Sequence, residues 1–345
     1  MMPTILVTGG TGYIGSHTTV ELMEAGMDVV IVDNLENSKM EVIGGITGIT
    51  GKRPVFEQVD LRDRAATFGV FEKYPDLEAV IHFAAYKAVG ESVEKPLAYY
   101  KNNLLSLIHL LEAMKQFGVP NMVFSSSCTV YGEPDSLPVT EEAPIKQASS
   151  PYGNTKQVSE EILRDAVTAH PGMKVISLRY FNPIGAHPTG LIGELPHGVP
   201  ANLVPYITQT VIGLRETLSV YGDDYNTPDG TAIRDYINVV DLARAHVVAI
   251  QRLLDQASKA PFEVFNLGTG RGLSVFEIIK AFEQATGEKV NYRVVERREG
   301  DVEQVFADTR YANEELGWKA EKDLSETLLS AWNWEQSIRG KKPAS

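Results

Sequence analysis

Two hydrophobic patterns alternate along most of the chain. Short apolar runs rich in β-branched residues predict strands at 4–8, 28–32, 54–59, 79–84, 121–124, 174–182 and 262–267. Apolar residues spaced by three or four positions predict helices at 16–25, 91–117, 151–169, 239–254, 274–286 and 323–336. Strands separated by helices are typical of an α/β protein with a doubly wound parallel sheet, whose ligands bind at the carboxyl ends of the strands.

The pattern changes in the second half of the chain. Residues 183–205 are rich in Gly, Pro and His, which predicts that the chain leaves the sheet for a loop-rich lobe. We therefore expect a Rossmann-like first domain over 1–181, a smaller mixed α/β substrate-binding lobe over 182–339, and a tail over 340–345. Segments near 235–270 are expected to return to the first domain.

The composition narrows the class of protein. With 345 residues, 43% hydrophobic and 22% charged, the chain is long enough for about two globular domains. Its formal net charge of -13 argues against nucleic acid or an anionic membrane as a partner, since both require clustered Lys and Arg. Cys128 is the only cysteine, and no apolar run approaches the roughly 18 residues of a membrane span. We expect a cytoplasmic protein without a metal site.

A glycine-rich turn follows the first predicted strand. Gly9, Gly12 and Gly15 have the G-x-x-G-x-x-G spacing that allows a tight turn and the approach of backbone N–H groups to a pyrophosphate. Asp33 ends the second strand about twenty residues on, where an acidic residue binds adenosine ribose and repels the 2′-phosphate of NADP. NAD binding is therefore predicted. The alternatives are an ordinary strand-to-helix turn and, for Asp33, a strand-end cap.

The segment 149–156 places a phenol and an ammonium on one helix face. Ser150 is a good N-cap and Pro151 suits the first helical position. Tyr152 and Lys156 are then four residues apart, so that the ammonium can lower the tyrosine pKa from about 10 towards neutrality. Such a tyrosine can act as a general base. The alternative is a solvated surface pair.

Polar residues follow several predicted strands. Ser125, Ser126 and Ser127 come after the strand at 121–124, where their hydroxyls could bind a sugar, pass a proton or simply cap a turn. His82, inside an apolar strand, is predicted to be a core histidine.

Two arginine-containing clusters lie at 233–236 and 297–301. They are candidates for phosphate contacts. The alternative is surface ion pairs with Asp235 or Glu299.

Together these motifs resemble a known family. The glycine loop, Asp33, Ser127, and Tyr152 with Lys156 resemble the extended branch of the short-chain dehydrogenase/reductase superfamily. More specifically, the chain resembles the UDP-glucose (UDP-galactose) 4-epimerases over residues 4–335. The segments that carry this resemblance are 9–16, 87–92, 125–132, 179–183, 234–236 and 297–301.

The resemblance implies reversible oxidation at C4 of a UDP-hexose by bound NAD. Tyr152 would take the proton of the 4-hydroxyl while hydride passes to NAD, and the 4-keto sugar would turn before hydride returns to its other face. Ser127 would hydrogen-bond O4, and Lys156 would also hold the nicotinamide ribose. A homodimer formed through the 91–117 helix and the helix of Tyr152 is also implied.

The resemblance also implies two sets of binding residues. Those for NAD are Gly9, Gly12, Tyr13, Ile14, Gly15, Asp33, Asn34, Asn37, Ser38, Asp60, Leu61, Phe83, Ala84, Lys87, Asn102, Ser125, Tyr152, Lys156 and Tyr180. Those for the UDP-sugar are Lys87, Ser127, Tyr152, Asn182, Asn202, Leu203, Ser219, Tyr221, Arg234, Tyr236, Arg298, Asp301 and Val305.

Two departures from related enzymes bear on the substrate. Relatives that dehydrate nucleotide sugars have Thr-Asp-Glu where this chain has Ser127-Cys128-Thr129, which disfavours a 4,6-dehydratase. Relatives restricted to unacetylated sugars have a tyrosine where Val305 stands, so UDP-GlcNAc and UDP-GalNAc are expected substrates as well. A UDP-uronic acid 4-epimerase or decarboxylase, and a non-catalytic NAD-sensing regulatory protein, are the alternatives.

Overall fold

The strands and helices are described for residues 2–298 and 301–340 of a computed structural model. The strands are β1 (Thr4–Thr8), β2 (Asp28–Asp33), β3 (Val55–Gln58), β4 (Leu77–His82), β5 (Asn121–Ser125), β6 (Lys174–Tyr180), β7 (Asn182–Ile184), β8 (Leu218–Tyr221), β9 (Ile233–Asn238), β10 (Phe262–Leu267), β11 (Gly272–Ser274), β12 (Tyr292–Val295) and β13 (Gln304–Val305). The helices are α1 (Tyr13–Glu24), α2 (Glu41–Thr50), α3 (Arg64–Lys73), α4 (Val89–Glu94), α5 (Pro96–Phe117), α6 (Pro151–Ala169), α7 (Leu203–Val211), α8 (Val239–Leu254), α9 (Val275–Thr286) and α10 (Leu324–Ile338).

Seven parallel strands form the larger sheet, in the order β10-β6-β5-β4-β1-β2-β3. The strand order reverses at β1, which lies between β4 and β2, with Thr8 in register with both His82 and Val32. A crevice opens at such a reversal, beyond the carboxyl ends of the strands. The predicted doubly wound α/β fold is confirmed.

The smaller lobe is built from mixed strands. β7, β9, β11 and β13 form one sheet, in which β11 runs antiparallel to β9, while β8 and β12 form a parallel pair. The chain leaves the larger sheet after Tyr180 and enters the smaller one at Asn182, and β10 then pairs with β6. The domain limits 1–181 and 182–339 stay predictions, and the proposed tail lies outside the described residues except for Gly340.

Helices cover both faces of the larger sheet. Along β1, Ile5 and Val7 pack with residues of α1 and α8, whereas Leu6 points to the other face and packs with α5. All three side chains are buried, and each contributes about 1.5–3 kcal/mol by leaving water. This core holds the strand ends, and the polar residues that follow them, in a fixed arrangement.

Several predicted elements match the structure closely. The helices predicted at 151–169 and 239–254 and the strand at 262–267 have the predicted bounds. The bounds of these segments could be predicted because their apolar periodicity is strong and residues typical of helix or strand ends flank them. Among the helices of the described residues, none combines the length and the apolar character needed to cross a membrane.

Other predicted boundaries are wrong. The helix predicted from residue 16 begins at Tyr13, because its first turn is formed by the glycine run, which has no apolar period. The strand predicted at 79–84 runs from Leu77 to His82, because its neighbour β1 ends at Thr8, which pairs with His82. α2 was not predicted, since its three glycines interrupt the apolar spacing. One of them, Gly45, is required by a close contact, because a Cβ there would lie 2.4 Å from the carbonyl oxygen of Leu191.

Candidate active site

The glycine loop brings two backbone segments into close contact. Gly9 has φ +69°, and a Cβ on it would lie 2.8 Å from the nitrogen of Ala84 at the end of β4. A Cβ on Gly15 would lie 2.2 Å from the carbonyl oxygen of Gly9. Gly12 caps α1 without a side-chain hydrogen bond, which leaves the N–H groups of the first turn without a side-chain acceptor. These positions fit the pyrophosphate of a dinucleotide, because the helix N-terminus offers donors and a partial positive charge.

Asp33 connects the glycine loop to the loop after β2. Its carboxylate accepts hydrogen bonds from the backbone N–H of Thr11 (3.3 Å) and Leu35 (2.9 Å) and from the hydroxyl of Ser38 (3.0 Å). The strand-end cap considered from the sequence is therefore present. The carboxylate is also partly exposed beside the proposed ribose site, where its charge disfavours a 2′-phosphate.

Asp60 lies after β3 and is bound by a neighbouring arginine. Arg62 donates from Nε at 2.9 Å and from Nη2 at 2.5 Å, and its hydrogen bonds hold the pKa of Asp60 below its usual value. The same guanidinium reaches Glu36 at 3.1 Å, so the loops after β2 and β3 are linked. The sequence reasoning missed Arg62.

The remaining predicted cofactor residues lie along the same edge of the sheet or beside it. They are Ile14 in the first turn of α1, Asn34 and Asn37 after β2, Leu61 after β3, Phe83 and Ala84 after β4, and Asn102 in α5. Tyr13 donates a hydrogen bond from its hydroxyl to the carbonyl of Gly185 in the smaller lobe (2.6 Å).

His82 is the core histidine predicted from the sequence. It is buried and hydrogen-bonded to the hydroxyl of Thr8 (2.7 Å). Burial lowers its pKa to about 3, so the ring is neutral at physiological pH.

The N-terminus of α6 has the predicted cap. The Ser150 hydroxyl accepts a hydrogen bond from the N–H of Gly153 (3.2 Å), and Pro151 occupies the first helical position. This start fixes the rotation of α6, so that Tyr152 and Lys156 both face the interior, with 8% and 4% of their surface exposed. The alternative of a solvated surface pair is wrong.

The electrostatic relationship between the two side chains differs from the prediction. Lys156 donates from Nζ to the carbonyl of Ser125 (2.6 Å) and lies over the ring of Phe124, and burial lowers its pKa to about 8. Burial likewise raises the pKa of Tyr152 well above its ordinary value, and Tyr180 acts in the same direction. The predicted lowering of the tyrosine pKa is therefore wrong for the protein's own groups, because the loss of hydration on burial is the largest effect on the phenol.

The three serines at the carboxyl end of β5 have three different partners. The Ser125 hydroxyl bonds to the hydroxyl of Tyr180, and Ser126 donates to Glu160 Oε1 (2.7 Å). The Ser127 hydroxyl accepts from the N–H of Thr129 (3.2 Å), and Ser127 also opposes the rise in the pKa of Tyr152. Ser127 thus caps a turn and also lies beside the phenol, and its hydrogen bond to a sugar stays a prediction.

The predicted diphosphate residues come together in the smaller lobe. Asp301 accepts from Arg234 Nη2 (3.4 Å) and from Arg298 Nη2 (3.2 Å), and the Arg298 guanidinium lies over the ring of Tyr221. The alternative partner Asp235 instead accepts from backbone N–H groups near Thr269. The other alternative, Glu299, lies outside the described residues.

Cys128 lies within electrostatic range of both Arg234 and Tyr152. Burial raises the pKa of its thiol to about 12, while the positive charge of Arg234 acts in the opposite direction. Cys128 in turn affects the pKa of Tyr152.

Glu194, which was not predicted, links two predicted residues. Its Oε1 accepts from Lys87 Nζ (3.1 Å) and from the side chain of Asn202 (2.7 Å), which precedes α7. The other predicted substrate residues lie in the smaller lobe at Asn182 (β7), Leu203 (α7), Ser219 (β8), Tyr236 (β9) and Val305 (β13). Val305 is buried in an apolar cluster with Val130, Tyr131 and Phe181.

Comparison with known proteins gives a consistent result. The family model described as the NAD dependent epimerase/dehydratase family matches residues 5–268. A UDP-glucose 4-epimerase of Bacillus subtilis is 52% identical over 341 residues, covering 99% of each chain. The solved UDP-glucose 4-epimerase of Stenotrophomonas maltophila, with bound NAD and formylated UDP-arabinopyranose, has a TM-score of 0.94 at 49% identity, covering 99% of each chain.

A third match concerns substrate range. The UDP-Glc/GlcNAc 4-epimerase of Campylobacter jejuni has a TM-score of 0.83 at 35% identity, covering 97% of this chain and 99% of that one. All three relatives extend across both lobes, beyond the part matched by the family model. The chain therefore belongs to the NAD-dependent epimerase/dehydratase family and, within it, to the UDP-glucose 4-epimerases.

Proposed function

We propose that this protein inverts C4 of UDP-hexoses reversibly, interconverting UDP-galactose and UDP-glucose with NAD as its cofactor. The observation that supports this most strongly is that Tyr152 and Lys156 of α6 lie beside Ser127 and the carboxyl end of β5. This strand belongs to the sheet whose switch point holds the glycine loop. A phenol, an ammonium and a hydroxyl are the groups that proton exchange at a sugar hydroxyl requires.

The glycine loop, Asp33 and the residues after β3 and β4 would hold NAD. Bound there, NAD supplies a hydride acceptor and a positive charge beside Tyr152. Tyr152 takes the proton of the 4-hydroxyl on oxidation and returns it on reduction. To accept that proton the tyrosine must be ionised, and burial favours its neutral form. Ionisation therefore depends on nearby positive charge, which the Lys156 ammonium provides below a pH of about 8. Ser127 donates or accepts a hydrogen bond at O4.

The arginines supply the charge that the diphosphate of UDP requires. Arg234 and Arg298 share the carboxylate of Asp301, which orients both guanidinium groups and leaves further donors available. Asn182, Asn202, Leu203, Ser219, Tyr221 and Tyr236 complete the proposed UDP site.

Dehydration of the sugar is disfavoured by the residues beside Ser127. Cys128 has a thiol whose pKa burial raises to about 12, and Thr129 has a hydroxyl. Neither group is the carboxyl acid or base needed to expel a 6-hydroxyl at neutral pH.

Turnover of UDP-GlcNAc and UDP-GalNAc is part of the proposal. Val305 is smaller than a tyrosine, which leaves room for a 2-acetamido group, and the Campylobacter jejuni relative is described as a Glc/GlcNAc enzyme. Normal turnover of UDP-galactose with none of UDP-GlcNAc would contradict this part alone.

We also propose a homodimer and a cytoplasmic location. α4 and α5 expose apolar side chains at Val93 and Leu97, which are 62% and 81% exposed, and a second copy packed there would cover them. Sedimentation of the purified protein as a monomer at micromolar concentration would contradict the dimer. The cytoplasmic location rests on the use of a single cysteine.

The decisive experiment purifies the protein, looks for NAD retained with it, and adds UDP-galactose without a reductant. Tyr152→Phe should abolish turnover while leaving NAD and UDP binding nearly unchanged; Tyr74→Phe, whose hydroxyl bonds Glu57 outside the site, should turn over normally. NAD binding without turnover by the unaltered protein would favour an NAD-sensing regulator. Accumulation of oxidised sugar with free NADH would indicate a dehydrogenase.

A further inference from the structure

Glu160 is a buried carboxylate on the inner face of α6, one helical turn beyond Lys156. Only 2% of its side chain is exposed. Its Oε1 accepts from Ser126 Oγ (2.7 Å), Ser177 Oγ (2.9 Å) and Arg179 Nε (2.9 Å), and its Oε2 accepts from Arg179 Nη2 (2.5 Å). The carboxylate is therefore paired and fully hydrogen-bonded, and these bonds keep its pKa below the ordinary value despite burial.

Arg179 extends the network away from the catalytic group. It is also 2% exposed, and its Nη1 donates to the hydroxyl of Tyr131 (3.0 Å), which donates to Asn266 Oδ1 (2.6 Å). Buried ion pairs add little net stability compared with apolar residues of the same volume. The ion pair of Glu160 and Arg179 is therefore better explained by its position, with Glu160 on the helix that carries Tyr152 and Lys156, than by a contribution to stability.

The first connection to the catalytic group is geometric. Ser126 lies between Ser125, whose carbonyl binds Lys156 Nζ, and Ser127, which lies beside the Tyr152 phenol. The bond from Ser126 to Glu160 joins this serine run to α6, which carries Tyr152 and Lys156. The carboxylate of Glu160, on the helix of Tyr152 and Lys156, thus holds the serines at 125–127 against that helix.

The second connection is electrostatic. Glu160 raises the pKa of Lys156, in opposition to burial. The other titratable groups next to Lys156 or Tyr152 are neutral at physiological pH: His82 on β4 is next to Lys156, whereas Cys128 after β5 and Tyr180 on β6 are next to Tyr152. Among the described residues, Glu160 is the charged group that acts on this ammonium, and its carboxylate is itself paired with Arg179 and, at 3.3 Å, with Arg164 of α6.

We propose that Glu160 is a positioning residue for Tyr152, Lys156 and Ser127, an inference that rests on the proposed function. Through Ser126 it holds the serine run against α6, and its negative charge favours the ammonium form of Lys156. Glu160 does not touch the reacting atoms; it acts through residues that do.

Two serines provide a matched test. Ser126→Ala and Ser177→Ala each remove one buried hydroxyl that donates to Glu160 Oε1, and both serines have no exposed surface. Only Ser126 is part of the serine run. Ser126→Ala should lower kcat on UDP-galactose about tenfold with KM within about twofold, whereas Ser177→Ala should stay within about twofold in both constants. Loss of kcat to the same extent in both variants, or in neither, overturns the geometric part.

Glu160→Gln tests the charge. Without the carboxylate the pKa of Lys156 should fall, so the alkaline limb of kcat should move down by about one pH unit. An unmoved limb in a folded variant overturns the electrostatic part. If the variant does not fold, because Arg179 is left buried without its partner, the serine pair decides the proposal.

Failure of the proposed function has a different signature. If the unaltered protein does not turn over UDP-galactose, the proposed function fails. The positioning role is then tested by NMR of the protein with ¹³C-labelled tyrosine, in which the resonance missing from Tyr152→Phe is assigned to Tyr152. A shifted Tyr152 resonance in Ser126→Ala but not in Ser177→Ala supports the positioning role without any turnover. The same resonance in both variants overturns it.

Discussion

The Lys87 ammonium lies 3.1 Å from Glu194 Oε1, the same oxygen that accepts from Asn202. Lys87 follows β4 of the larger sheet, whereas Glu194 and Asn202 belong to the smaller lobe, so this contact crosses between the two. The Lys87 side chain is 60% exposed, and water therefore screens the ion pair strongly. The value of Glu194 lies in orienting two residues of the proposed site rather than in stabilising the fold.

Glu194→Gln should therefore weaken UDP binding more than it weakens folding. The amide retains an acceptor but loses the charge that holds Lys87, and we expect the Kd for UDP to rise about tenfold while the free energy of unfolding changes by less than about 1 kcal/mol. Titration calorimetry with UDP and urea unfolding measure the two quantities. Asp135→Asn, which breaks an exposed pair with Lys146, is the control and should change neither. Equal UDP affinity in all three proteins would contradict the orienting role.

The glycine loop should tolerate no side chain at Gly15. A methyl group there would lie 2.2 Å from the Gly9 carbonyl oxygen, so Gly15→Ala must move the loop. We expect the free energy of unfolding to fall by about 2–3 kcal/mol and the purified variant to retain no NAD. Gly69→Ala is the control, since this α3 glycine has no atom within 4 Å of the added methyl group. It should raise stability by about 0.5–1 kcal/mol and leave NAD binding unchanged. NAD retained by Gly15→Ala would refute the close-approach argument.

The parts of the site that depend on short segments could be predicted from the sequence. The glycine spacing, the Ser150 cap and the i,i+4 relation of Tyr152 and Lys156 are local constraints, and the resemblance located the arginines that meet at Asp301. The direction of the Tyr152 pKa was predicted wrongly, because the burial of a side chain depends on elements distant in the chain.

Residues that act through long-range contacts escaped prediction. Glu194 lies 107 positions from Lys87, and nothing in its own neighbourhood distinguishes it from a surface carboxylate. Glu160 stands at i+4 from Lys156, so its helix face could have been read from the spacing. Its partners Ser126, Ser177 and Arg179 come from two neighbouring strands or their ends, however, and only the folded sheet brings them together.

Turnover should decline in alkaline solution. Burial lowers the pKa of Lys156 to about 8, so the ammonium that favours the tyrosinate is present below that pH and is lost above it. We expect kcat on UDP-galactose to fall about tenfold for each pH unit beyond the midpoint, which should lie near or below pH 8. Lys156→Arg keeps its charge at high pH and should abolish this limb in whatever activity remains. An unchanged alkaline limb in that variant would show that another group titrates.

Folding stability should fall in acid because three buried histidines are neutral in the folded protein. Burial lowers the pKa of His17 and His82 to about 3 and that of His246 to about 4, whereas in the unfolded chain each titrates near 6.5. The stability they contribute is present above pH 6.5 and is lost as the pH falls towards 4, because the unfolded chain binds protons that the folded protein does not.

Three such protons correspond to about 4 kcal/mol per pH unit between pH 6 and 4, measured as the change in unfolding free energy in urea. His246→Gln should reduce that slope by about one third, since one of the three histidines is removed. His197→Gln, at an exposed position, should leave it unchanged because the ring is solvated in both states. A slope that does not differ between His246→Gln and the unaltered protein would mean that the acid sensitivity comes from the carboxylates instead.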